Sequence, residues 1–314
     1  MQGTPTADGP TGDRSAVGRL AAVGAVFCWS AGNVIVAQVD MGGLAIAFWR
    51  LTLGGLVYGT VLHLTGRRIT WAQVRLAFPV SVVFALELGV FFAALHHTSV
   101  ANATIVGSLQ TIVLLVVASR RFGERIGGWL IGVALVAIGG VAVVMFGGGG
   151  DASLHLRGDL LALGAMVLFS SYFVMVKNVR ARIDTFTLQT LTMTIGAVVL
   201  LPMAAVDAGR LVPVWPSGSQ WAWLCLLLAV PGTGHFLMNW AHLHVSLSLA
   251  GLLTLAIPAL SAAGAWLALD QGLAPVQVAG MVVVVASLML VVRRDARLHA
   301  AAVSRAGRPR TESR

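Results

Sequence analysis

Ten apolar runs divide this chain, at residues 17–37, 44–64, 76–96, 99–119, 127–146, 159–178, 185–204, 220–241, 248–269 and 275–292. Each is close to the ~20 residues an α-helix needs to cross a bilayer. A bilayer leaves few folds open, because every backbone polar group must find its partner inside the protein. Composition agrees with that solvent. Only 11% of residues are charged and the mean hydropathy is +0.86, whereas soluble domains carry roughly 25% charged residues. Pro79, Pro202, Pro231 and Pro258 fall inside runs, which membrane helices tolerate.

The charges between the runs set an orientation. The segments 14–19, 67–75, 120–125, 177–182 and 293–314 alternate to one side and carry 18 of the 21 Lys and Arg. The other side has only Arg157 and Arg210, and Arg50 lies within a run. Basic residues mark the cytoplasmic side, so both termini are expected there, in a multi-pass protein of the cell (cytoplasmic) membrane. The net charge of +9 sits between apolar runs, so it reads as anchoring to anionic lipid and no nucleic-acid partner is expected. Cys28 and Cys225 lie in apolar runs and read as small packing residues.

The sequence repeats itself. GAVFCWSAGNVIVAQ (24–38) aligns with GAMVLFSSYFVMVKN (164–178) at an offset of about 140, and HTSVANATIVGSLQT (97–111) aligns with HVSLSLAGLLTLAIP (244–258) at about 147. Five runs per unit is an odd number, so the second unit enters the membrane upside down. Inverted repeats of this kind place a substrate site near the midplane between the halves. The expected fold is therefore an all-α integral membrane protein with ten transmembrane helices in two inverted five-helix repeats. Its parts are a disordered tail (1–16), a first repeat (17–146), a Gly-rich linker (147–158), a second repeat (159–292) and a basic tail (293–314).

Three stretches resemble the drug/metabolite transporter superfamily of the EamA type. They are FFAALHHTSVANATIVGSLQT (91–111) with RFGERI (121–126), RGDLLALGAMVLFSSYFV (157–174) and SLAGLLTLAIPALSAAGAWLALDQGLAPVQVAG (248–280). Two positions depart from the pattern. Thr111 stands where the counterpart of Pro258 would be, and Asp270-Gln271 replaces the second Gly-Glu turn. The resemblance implies export of small metabolites or amino acids by alternating access. Import or passive exchange is the alternative within that class, and a non-transporting membrane receptor or scaffold the alternative outside it.

No H-E-x-x-H, G-x-S-x-G or Walker-type motif is present, so neither enzyme chemistry nor a cofactor is expected. His96-His97 and His242-x-His244 end spans on opposite faces, ~30 Å apart, so no shared metal site is expected and all read as interfacial residues. Ionisable groups within spans need a partner or a watered cavity. Arg50 lies roughly 9 Å below the outer face and Glu87 roughly 16 Å from the cytoplasmic face. Two readings stand: an ion pair locking the second and third spans, or a cavity in which Arg50 binds a carboxylate and Glu87 exchanges a proton. The repeat puts His235 almost opposite Glu87, either as a second proton-exchanging group or as a partner for backbone freed by Pro231. Asn239, one turn on, is a cavity donor or interhelix glue. Trp29, Ser30 and Asn33, matched by Ser170, Ser171 and Tyr172, could form an aromatic and polar wall or simply pack. Among the polar residues of the seventh span only Gln189 needs an outside partner. The expected partners are a small-molecule substrate, the lipid bilayer and protons, with a homodimer compatible with the sequence.

Overall fold

The computed structural model describes residues 11–149, 153, 155–211 and 213–306. Among them there is no strand, and ten helical spans are long and apolar enough to cross a membrane. Eight are single helices: α1 (Thr11–Val36), α2 (Gly43–Leu64), α3 (Trp71–Leu95), α6 (Gly128–Phe146), α7 (Leu156–Val179), α8 (Thr185–Asp207), α9 (Gly218–Ala241) and α12 (Pro275–Ala306). The expected tails are more helical than their composition predicts. Thr11–Ala16 open α1, and α12 runs through the basic segment to Ala306. The rest of both expected tails, and residues 150–152 and 154 of the expected linker, lie outside the described residues.

The fourth and ninth spans are not the continuous helices their hydropathy predicts. Each is broken near its middle, into α4 (Val100–Ser108) and α5 (Gln110–Phe122), and into α10 (Leu247–Leu253) and α11 (Ala256–Leu269). In the ninth span the cause is Pro258, which has no N–H to give the carbonyl of Thr254. The local backbone tightens into bonds from Leu255 N to Leu252 O and from Ile257 N to Thr254 O. In the fourth span Thr111 occupies the corresponding place and its hydroxyl donates to Gly251 O across the break. Gln110 Nε2 donates to Thr254 Oγ1 at 2.8 Å, joining the two breaks.

Helix packing follows the two-fold relation of the repeats. α1 lies on α9 and its counterpart α7 lies on α3, while α2 pairs with α8 and α6 with α12. Two glycines show how close the match is. A Cβ on Gly18 would collide with His244, and a Cβ on Gly158 would collide with the backbone of His97. Each glycine thus lets a helix start press against the mirrored histidine turn at opposite faces of the protein. The outer surface toward lipid carries exposed Leu20, Phe27, Leu56, Phe78 and Val282, as expected where the solvent is itself apolar.

The relation is not exact, and one departure bears on function. α5 packs on α10, but the mirrored pair, α4 and α11, does not pack in the same way. Between them lies the cavity.

Candidate functional site

The cavity has a volume of about 790 Å³ and takes its lining from both repeats. The lining comes from the end of α1, the first half of α2 at Arg50, the second half of α3, α4, the end of α6, the first half of α7, the middle of α9, α11 and the turn at 271–273. In this topology those parts all lie toward the face away from the described chain ends, and the cavity opens there. Its floor holds Gln110 and Thr254 at the two helix breaks.

Of the residues singled out from sequence, Trp29, Asn33, Arg50, Glu87 and His235 line this cavity. Among the described residues no ion pair within 4.0 Å joins Arg50 and Glu87, yet the two charges act on each other across the cavity that both residues line. His235 sits between the rings of Trp29 and Phe84, with centroids 5.0 and 5.2 Å away. It does not serve the backbone near Pro231, because its Nδ1 is buried with no hydrogen-bond partner. Trp29 Nε1 is buried and unpartnered in the same way. Native interiors satisfy most such groups. Thr192 and His242 also carry unpartnered buried atoms away from the cavity, but beside an open cavity water or a polar ligand can complete the bonding of Trp29 and His235. Asn33 Nδ2 donates to Ser261 Oγ at 3.0 Å, tying α1 to α11.

Ser30, Tyr172 and Asn239 lie outside the lining. Ser30 Oγ donates back to Val26 O, one turn earlier, and Ser170 does the same to Met166 O. Tyr172 OH donates to Asn239 Oδ1 at 3.0 Å, and Asn239 Nδ2 donates to Gln189 Oε1 at 2.9 Å. The partner that Gln189 requires is therefore Asn239. Arg180 Nε donates to Asn239 O, and its Nη1 to Ile183 O. Tyr172 meets the site through its ring, tilted against Phe84 at 4.9 Å and stacked on Phe169 at 6.1 Å.

These bonds belong to a seal on the other side of the cavity. Lys177 Nζ donates to the carbonyls of His242 and Val245. The Glu124 carboxylate accepts from Leu247 N, Ser248 N and Ser248 Oγ. His242, expected at an interface, is buried instead, edge-on to Phe173 at 5.0 Å. Burial pushes its pKa down to about 3, with the charges of Lys177 and Arg180 acting the same way. It packs as a neutral ring, with both nitrogens buried and without hydrogen-bond partners. His96 and His97 are exposed at the opposite face, and no group of three His, Cys, Asp or Glu able to hold a metal occurs among the described residues.

The cavity residues that sequence reading missed are polar groups at the breaks and the aromatic wall: Gln110, Thr254, Ser261, Phe84 and Phe169. Gln110 was the findable one, because an amide inside an apolar run needs a partner for the same reason a charge does.

A helical bundle of two inverted repeats, with a cavity lined by both, has the architecture of a membrane transporter. The chain belongs to the EamA-like transporter family, which matches residues 16–146 and 156–293, one match per repeat. It is thus a multi-pass membrane protein of the drug/metabolite transporter superfamily. A solved structure described only as the crystal structure of a protein superposes with a TM-score of 0.75 at 21% identity, covering 90% of this chain and 99% of the other. At that identity the match speaks for the fold alone. No curated protein matches the chain.

Proposed function

We propose that this protein is a secondary transporter that exports a small amphipathic metabolite or amino acid by alternating access, with protons as the coupling ion. The observation that carries the proposal is one cavity lined by both Arg50 and Glu87, with no direct ion pair between them, beside aromatic walls from Trp29, Phe84 and Phe169. Charges left unpaired within a membrane are expensive unless they serve a substrate or an ion. Arg50 offers a planar fork for a carboxylate, Glu87 an acceptor for a cation or a proton, and the aromatic rings a surface for an apolar body.

Charge distribution supports cytoplasmic termini. On that orientation the cavity faces the outside, where an exporter releases its substrate and a proton-driven exporter loads its proton. Glu87 is reached from that side. With no nucleotide-binding motif in the sequence, an ion or substrate gradient supplies the drive.

The test is a counterflow screen in proteoliposomes with amino acids, nucleosides and aromatic metabolites, each with and without a pH gradient. Exchange of an amphipathic solute, accelerated by the gradient, is the expected result. Exchange indifferent to pH would remove the proton from the mechanism.

A further inference from the structure

The two Gly-Glu-type turns of the repeats are mirror images that differ in one charge. Gly123 ends α5 with φ 66°, and at the offset of 147 Asp270 ends α11 in the same left-handed conformation with φ 52°. The next residues are Glu124 and Gln271. On the closed side, Glu124 reaches across to the start of α10. It accepts from Leu247 N at 2.7 Å, Ser248 N at 3.1 Å and Ser248 Oγ at 2.6 Å. That contact is the outermost link between the fourth and ninth spans on this side, where α5 and α10 pack.

The mirrored contact would join Gln271 to the start of α4, at Val100. Instead both residues line the open cavity, and the Gln271 side chain has no hydrogen bond among the described residues. The difference in burial is large: Val100 is 64% exposed, whereas its counterpart Leu247 is fully buried at 0%.

We propose that Glu124 is a latch that holds the α5–α10 side shut, that Gln271 is the corresponding latch for the α4–α11 side, and that their unequal strength biases the empty protein toward the state described here. A carboxylate accepting two backbone N–H groups and a hydroxyl makes charge-assisted bonds, roughly twice as strong as neutral ones, and its charge is favoured at a helix start. A glutamine in the mirrored position accepts with a neutral oxygen and brings no charge. The closed α5–α10 side therefore outcompetes the closed α4–α11 side. Transport requires the stronger latch to break, and Glu124 acts on the cycle by positioning α10, without touching substrate.

This rests on the alternating-access reading, and the experiment separates the two. Thr104→Cys, in the cavity wall of α4, and Ala250→Cys, buried in α10, are placed singly in a Cys28→Ala, Cys225→Ala background. Thiol labelling rates are measured in full-length protein in liposomes, without substrate. Glu124→Gln is expected to slow labelling at 104 and speed it at 250, each at least threefold. Gln271→Glu, an exposed change that leaves the fold intact, is expected to shift both in the same direction. If Glu124→Gln lowers Tm but leaves both rates unchanged, Glu124 is a static cap and the latch is wrong. If Gln271→Glu leaves both rates unchanged, the outer latch is wrong. In the parent, a transported solute identified by the counterflow screen must alter the two rates in opposite directions; if it alters neither, alternating access itself fails.

Discussion

The two faces of this molecule are built from the same elements of two inverted repeats, yet they are unlike. The side bearing the chain ends is closed by hydrogen bonds that run from Tyr172 through Asn239 to Gln189 and Arg180, and from Glu124 and Lys177 to the α9–α10 turn. The other side holds Arg50, Glu87, Asn33 and His235 around open space. Most polar groups on the closed side are satisfied by protein, the two ring nitrogens of His242 excepted. On the open side Trp29 Nε1 and His235 Nδ1 are left without partners. Buried polar groups cost stability unless paired, so the first arrangement serves the fold and the second serves something that comes and goes.

The contrast can be broken from either end. The largest effect is expected for Arg50→Ala, which should reduce counterflow at least tenfold while the protein remains folded. On the closed side, Asn239→Leu removes the partner of Tyr172 and of Gln189 together. Each buried group left unsatisfied costs about 1–3 kcal/mol, so thermal melting should show a loss of several degrees, and a cavity-side Asn33→Leu should lose much less. Asp184 gives a smaller effect. It caps α8 by accepting from Phe186 N and Thr187 N and faces Arg67 at 3.4 Å. Burial works against its charge, but the bonds from Thr187 and Phe186 and the Arg67 guanidinium prevail and hold its pKa below the usual carboxylate value. Its stabilisation is therefore complete above the unfolded-state pKa of about 3.9 and is lost as pH falls through the lower folded-state value. Asp184→Ala should cost about 1 kcal/mol at neutral pH and less once the carboxyl is protonated, which keeps an acceptor oxygen but no charge, as read by melting at a series of pH values. The smallest effect is a coupling. Arg50 and Glu87 act on each other without a direct ion pair, so their alanine variants should couple by only about 0.5–1 kcal/mol in a double-mutant cycle on stability, the low end for interacting residues. A large coupling would restore the helix-locking pair.

Much of this was legible in the residues. Hydropathy and basic-residue spacing marked the ten spans, because a bilayer imposes one length and one charge rule on every segment. The repeat followed from two alignments, and the mirrored glycines Gly18 and Gly158 show its packing. Arg50, Glu87 and His235 were found because ionisable groups in lipid need a reason. The helix breaks were not found, although Pro258 pointed at one. Hydropathy averages over a broken helix and an intact one alike, and Thr111 hides the other. Of the two readings open for Asn239 and Tyr172, the structure favours interhelix bonding over the cavity, because they join α9 to α7 and α8. Depth is read from residue count, whereas the direction a side chain faces depends on which helix packs against it. The closed side was invisible for the same reason: Glu124 and Ser248 are 124 residues apart and meet only through the repeat symmetry.

The central claim is that Glu87 works in the cavity as the proton-exchanging group of a transporter. The direct measurement is solute flux in proteoliposomes carrying Glu87→Gln, with and without an imposed pH gradient, beside the parent protein. The account predicts a folded, inserted protein whose flux no longer responds to the gradient. Gradient-driven flux at the parent rate would contradict it.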